Sequence, residues 1–167
     1  MGLQATATHT PHDPSMRVSP VPADGSQTRY VRLAGLPSAV PWARRVLRHM
    51  LREWQVEGMA DSAALLVSEL VTNAVEASAG GGRDRGQLPM IGLAIRLTAA
   101  SLVLEVWDAC PLRPVSQKAD AAADRGRGLL LIDALADSWG HRAADGGKIV
   151  WCELAIPPAP ASTAAAS

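Results

Sequence analysis

Hydrophobic and polar positions along this chain change period several times, and each change marks an element. From Gln27 to Leu33 (QTRYVRL), Val31 and Leu33 alternate with Tyr30 and Arg32, the period of a strand with one buried face. Ser38 then precedes a run to about Gln55 in which Val40, Ala43, Val46, Leu47, Met50, Leu51 and Trp54 recur at helical spacing. Ser38 is the expected N-cap of this helix and Gly58 its expected stop. Asp61 caps a second predicted helix to about Ser78, in which Leu65, Leu66, Leu70, Val71, Ala74 and Val75 supply the buried stripe; Gly80-Gly81-Gly82 ends it. Met90–Leu97 and Leu102–Trp107 are alternating runs joined by a short Ala-Ala-Ser turn, which predicts a hairpin. Leu129–Ala136 reads as a third helix and Lys148–Ile156 as a final strand, with room for one more strand before it. The order β-α-α-β-β-α-β(β) predicts an α/β two-layer sandwich: a mixed, mostly antiparallel sheet with helices packed on one face.

The ends of the chain lack any period. Residues 1–26 scatter Pro11, Pro14, Pro20 and Pro22 among Thr, Ser, His and Asp, and residues 157–167 read PPAPASTAAAS. Both are expected to be disordered tails, leaving residues 27–156 as one domain. His9 and His12 fall in the first tail, where two histidines on flexible chain are not expected to hold a metal. In 167 residues, 16 basic side chains cancel 16 acidic ones, which argues against direct nucleic-acid binding because no cationic excess displaces phosphate counterions. Arginine far outnumbers lysine and alanine abounds, a bias that fits GC-rich coding and assigns no role to any one arginine. Cys110 and Cys152 form neither a disulfide framework nor a metal-ligand spacing. No apolar run is long enough to span a bilayer and no signal segment opens the chain, so a cytoplasmic protein without membrane contact is expected.

Three short stretches carry chemistry. In SELVTNAVEAS (Ser68–Ser78), Glu69 and Asn73 are one helical turn apart on the same face of an otherwise apolar helix, where burying them demands partners. The run LVLEVWD ends a buried strand with Asp108, where a carboxylate accepts a hydrogen bond from a ligand amine or merely caps the turn into Pro111. In Arg125-Gly126-Arg127-Gly128, two glycines directly before a helix free backbone amides for an anion, and the arginines add charge-assisted donors. Taken singly, each has an ordinary structural explanation.

Taken together, in this order, they resemble the N, G1 and G2 boxes of the Bergerat-fold (GHKL) ATPases, which include histidine-kinase catalytic domains, type II topoisomerases and heat-shock chaperones. The wording LLVSELVTNAV, VWDACPLRPV, GRGLLLIDALADSWG and GGKIVWCEL is most similar to the stand-alone anti-sigma-factor serine/threonine kinases of bacteria, over roughly Ser38–Leu154. The resemblance implies ATP and Mg²⁺ as cofactors. Asn73 would coordinate the metal, Glu69 would be the general base, and Asp108 would take the adenine amine. Gly126, Arg127 and Gly128 would hold the phosphates, with Leu129 beside them and Pro111–Arg125 as a mobile lid. Lys148 would approach the nucleotide from the last strand. The partners implied are a sigma factor and a small antagonist (anti-anti-sigma) protein, and the family allows a homodimer.

Two departures from the pattern stand out. The G1 box usually reads Asp-x-Gly, whereas Cys110 occupies its third position here, and the lid (KADAAAD) is short and alanine-rich. Both favour an alternative in which the fold survives as a sequestering module with weak or no phosphoryl transfer. A histidine-kinase catalytic half is the third reading: His49 could mimic a phosphoacceptor, but no dimerisation hairpin precedes it. Glu76 is placed to share the face of Glu69 and Asn73, or to be solvated. Trp107, Trp139 and Trp151 are expected to fill the core in place of Phe. Trp42 is a candidate for a partner surface, and Trp54 is expected to be buried.

Overall fold

A computed structural model describes residues 25–79, 88–110 and 127–157; residues 1–24 and 158–167 of the expected tails, the Gly80–Gly82 cluster and the Pro111–Arg125 lid lie outside these residues. The described elements are β1 (Gln27–Ala34), α1 (Ala39–Glu53), a 3₁₀ turn (Glu57–Met59), α2 (Ala60–Ala79), β2 (Met90–Leu97), β3 (Ser101–Asp108), α3 (Arg127–Leu135), β4 (Ser138–Ala144) and β5 (Gly147–Ala155). The strands form one sheet in the order β1-β2-β3-β5-β4, antiparallel at every pairing. The helices pack against it, giving the expected α/β sandwich. Among the described residues, no helix is long and apolar enough to cross a membrane.

Strand alternation decides which face meets the helices. Ile91, Leu93 and Ile95 of β2, Leu102, Leu104 and Val106 of β3, and Val150, Cys152 and Leu154 of β5 all point to the helical side and are buried. They meet Leu47 and Leu51 of α1, Leu66, Val67, Leu70 and Val71 of α2, and Ile132 of α3. Each fully buried Leu or Ile contributes about 1.5–3 kcal/mol by leaving water. Burial pushes the Cys152 thiol up to about 12, so this cysteine is an inert filler of the β5 core face.

Several local expectations change. The first helix stops at Glu53 rather than at Gly58, because Gln55 takes the left-handed conformation at φ 60°. The Val56 N–H donates to the Leu51 carbonyl (2.9 Å) and the Gln55 N–H to that of Arg52 (3.1 Å), the paired bonds of a Schellman ending. Gly58 lies inside the 3₁₀ turn instead. Ser38 flanks α1 without a side-chain capping bond. Asp61 sits within the first turn of α2, where its charge favours the helix dipole. Leu65 faces outward, 49% exposed, because the buried arc of α2 is too narrow to include it.

The tryptophans divide by register. Trp139 packs against the core and Trp54 is partly buried there. Trp107 and Trp151 occupy the alternate positions of β3 and β5, so period two sends them to the outer face of the sheet. Each covers a cross-strand glycine: Trp107 pairs with Gly92, and Trp151 with Gly140. A Cβ on Gly140 would lie 3.0 Å from the Trp151 ring, so the indole takes the place of the missing side chain. Trp42 is 58% exposed, with the Arg45 guanidinium 5.7 Å from its ring centre.

Candidate functional site

The core-facing ladder of β3 and β5 ends in charge. Leu102 opposes Leu154, Leu104 opposes Cys152, Val106 opposes Val150, and the next rung pairs Asp108 with Lys148. Continued alternation therefore buries both side chains against the helical layer, 1% and 7% exposed. The Lys148 Nζ donates to Asp108 Oδ1 at 2.8 Å and to the Cys110 carbonyl at 3.1 Å. The Cys110 N–H also donates to Asp108 Oδ1, at 2.9 Å. Asp108 thus caps the turn that leaves β3, as one sequence reading held, and is also half of a buried ion pair. Paired burial is what makes a carboxylate tolerable at this depth.

That pair was not legible as such. The resemblance implies that Lys148 approaches a nucleotide from the last strand; the structure sets its ammonium on Asp108. The signal lay in the alternation of LVLEVWD and KIVWCEL, which puts Asp108 and Lys148 at the ends of two core-facing rows.

Glu69 and Asn73 lie on α2 where it meets the start of α3. A Cβ on Gly128 would fall 2.5 Å from Glu69 Oε2 and 3.8 Å from Asn73 Oδ1. Glycine at this position therefore opens a cradle between the two polar side chains and the first turn of α3, the end of a helix that attracts anions. Among the described residues, no three His, Cys, Asp or Glu side chains converge as a metal group. A magnesium ion would fit this cradle through a single amide oxygen, phosphate oxygens and water, a donor set typical of that ion. Leu129, the next residue, is only 8% exposed and turns into the core, where it anchors α3. Gly126 lies outside the described residues, and Arg127 is described only as the residue that opens α3.

Burial raises the Glu69 carboxyl from its ordinary value, and the charge of Glu76 adds to the shift. Glu76 is itself exposed but is close enough along α2 to be felt. A raised native value means that ionised Glu69 disfavours folding. Its contribution to stability is present at low pH, where it is protonated in both states, and is lost as pH rises through the native value. Glu69→Gln is therefore expected to melt at a higher temperature than the parent at neutral pH, with the difference vanishing below the ordinary carboxylate range. Thermal melts of the ligand-free proteins across that range check the sign. His49, the possible phosphoacceptor, is exposed and pairs with Glu53 one turn on (3.3 Å).

No curated protein matches the chain. A family model described as the histidine kinase-like ATPase domain matches residues 33–153, a stretch that holds Glu69, Asn73, Asp108, Gly128 and Lys148. The open antiparallel sheet under its helices has the architecture of that fold. With well over half of its length matched, the chain belongs to the histidine kinase-like ATPase domain family, the GHKL superfamily of ATP-binding domains.

Proposed function

We propose that this protein is an ATP-dependent serine/threonine protein kinase of the anti-sigma-factor type. It phosphorylates a small antagonist protein and, when the antagonist is absent, sequesters a sigma factor. The observation that carries this reading is the approach of Gly128 to Glu69 and Asn73, because phosphoryl transfer needs a base, a metal ligand and an anion site within one cradle. Asn73 would hold Mg²⁺, whose charge would neutralise the phosphates. Glu69 accepts the proton of the attacking hydroxyl, a task that its raised proton affinity favours. The N-terminal turn of α3 binds the phosphates, with Gly126, Arg127 and Gly128 as their proposed holders. Asp108 accepts the adenine amine. The protein acts in the cytoplasm, on protein partners and not on nucleic acid.

Calorimetry with Mg·ATP tests the nucleotide part of this reading. The parent is expected to bind only in the presence of Mg²⁺. Asp108→Asn is expected to bind about tenfold to a hundredfold more weakly, since a charge-assisted bond to a buried group contributes about 1.5–3 kcal/mol. Its amide oxygen still accepts from Lys148, so circular dichroism is expected to show a folded variant. A folded Asp108→Asn protein that binds ATP like the parent would reduce Asp108 to a turn cap. No heat and no thermal shift for the parent would leave the sequestering module, the reading that Cys110 at the glycine position of the G1 box favours.

A further inference from the structure

Asp108 and Lys148 form a buried ion pair in the helix-facing layer of the sheet, and this pairing has a consequence for which purine the site accepts. It rests on the adenine-binding reading of Asp108 given above. An ionised carboxylate offers only acceptors, whereas a protonated one also donates. Adenine presents an amine, a donor, at the position where guanine presents a carbonyl oxygen, an acceptor. A carboxylate held ionised therefore attracts adenine and repels guanine, and one that takes up a proton loses that distinction. At 1% exposure Asp108 has almost no water to sustain its charge. The charge is sustained by the ammonium 2.8 Å away, with the Cys110 N–H on the same oxygen.

We propose that Lys148 is a specificity-determining positioning residue, which locks Asp108 as an ionised, acceptor-only carboxylate and thereby makes the site select adenine over guanine nucleotides. Three features of the geometry support a lock of this kind. Lys148 is held on both sides, by Asp108 Oδ1 and by the Cys110 carbonyl, so its ammonium cannot swing away to a phosphate without breaking two bonds. Both bonds to the carboxylate fall on Oδ1, which fixes the plane of the group. Lys148 is also the direct register partner of Asp108, so the strands themselves maintain the contact. Among the described residues, other titratable groups lie on the elements around this rung. Glu69 and Glu76 lie on α2 and Cys110 follows β3, while β2 brings only Met90, Ile91 and Gly92 to this end of the sheet. On β4, His141 and Arg142 stand opposite Val150 and Ile149, with Arg142 paired to Glu105 at 3.1 Å, and Arg32 of β1 stands opposite Gly92; Lys148 is the cation that hydrogen-bonds Asp108.

The test is the ratio of ATP to GTP affinity, measured with Mg²⁺ by calorimetry across pH. The parent is expected to prefer ATP by a ratio that hardly changes from about pH 8 to about pH 6, because the Lys148 ammonium stays on Asp108 Oδ1. In Lys148→Met the carboxylate loses its counter-charge and takes a proton as pH falls. Its preference is expected to drop by about tenfold to a hundredfold at the acid end and to recover toward the parent's at the alkaline end. Lys148→Gln, which retains a donor without the charge, is expected to follow Lys148→Met and serves where that variant does not fold. Lys148→Arg keeps the charge and is expected to restore the parent's flat profile. Asp108→Asn, which always both donates and accepts, is expected to show a low ratio at every pH.

A parent-like, pH-independent ratio in Lys148→Met or Lys148→Gln, alongside a lowered ratio in Asp108→Asn, overturns the lock and leaves the adenine contact standing. An unchanged ATP affinity and ratio in Asp108→Asn overturns the reading beneath it. A ratio lowered equally at all pH values in the Lys148 variants also overturns the lock, since loss of packing would have no reason to depend on protons.

Discussion

Replacing Glu69 by Gln is expected to lower phosphoryl transfer to the antagonist protein by about 10²–10⁴-fold, the usual contribution of a general base. ATP affinity is expected to stay within about threefold of the parent's, well below the ~1.4 kcal/mol that a tenfold change represents. The side chain keeps its shape, and Gly128 leaves it the same space. What is lost is a carboxylate whose burial, and whose neighbour Glu76, raise its affinity for a proton. A loose transition state for phosphoryl transfer draws less on the base, so a drop smaller than this range also fits Glu69 as the base. Asn73→Ala separates the two roles, because losing the proposed metal ligand is expected to weaken Mg·ATP binding and transfer together. Radiolabelled phosphate incorporation, with ATP affinity measured in parallel, distinguishes these patterns. Equal transfer by Glu69→Gln and the parent would remove Glu69 from the mechanism. A parent that transfers to no candidate antagonist would leave the sequestering module.

The largest effect on folding is expected from Gly147→Ala, a single added methyl. Gly147 opens β5 immediately before Lys148, where the chain passes so close to the end of β3 that a Cβ would overlap the Asp108 carbonyl oxygen. It would also lie 2.7 Å from the Ala109 Cα and 2.8 Å from the Asp108 carbonyl carbon. These are backbone atoms, so no flexible side-chain end can move aside. The strands would have to part at the rung that carries the buried ion pair, exposing charge that is tolerated only when paired. Overpacking commonly costs about 1–3 kcal/mol, and a clash with backbone at such a rung puts the expected loss at about 3 kcal/mol or more. The melting temperature is then expected to fall by roughly 10 °C, with nucleotide binding weakened because Asp108 moves. Gly146→Ala is the matched control: it sits in the turn between β4 and β5 at φ +66° with nothing near its absent Cβ, and is expected to lose only about 1–2 kcal/mol of backbone strain energy. Thermal melts of the two variants side by side check the contrast; equal, small losses would show that the β3–β5 approach is looser than the geometry states.

The periods of the apolar residues were enough to locate the three helices and four of the five strands. Val40, Ala43, Leu47 and Leu51 could only share a face as a helix, and Leu102, Leu104 and Val106 only as a strand, because the two periods are incompatible. β4 was harder to read. Ser138–Ala144 lies at the edge of the sheet with none of its residues buried, so no buried row marks it; its hairpin with β5 defines it. The grouping of Glu69, Asn73, Asp108 and the glycine turn was legible as a pattern because a helix face and a strand end are local properties. The approach of Gly128 to Glu69 and Asn73 was not.

What the amino-acid sequence determined by itself was thus the elements, the face that each buries, and the residue types available for nucleotide chemistry. What only the tertiary structure decided was which of those residues meet. Asp108 and Lys148 are forty positions apart, and only the β3–β5 register makes them one buried pair. Gly128 serves Glu69 and Asn73 because α3 docks on α2, not because of anything in its own turn. Trp151 covers Gly140 because the β4–β5 register sets them opposite each other. Hydrophobic periodicity is written within a few residues of chain, whereas a contact across the sheet depends on the register of strands whose pairing no local period encodes.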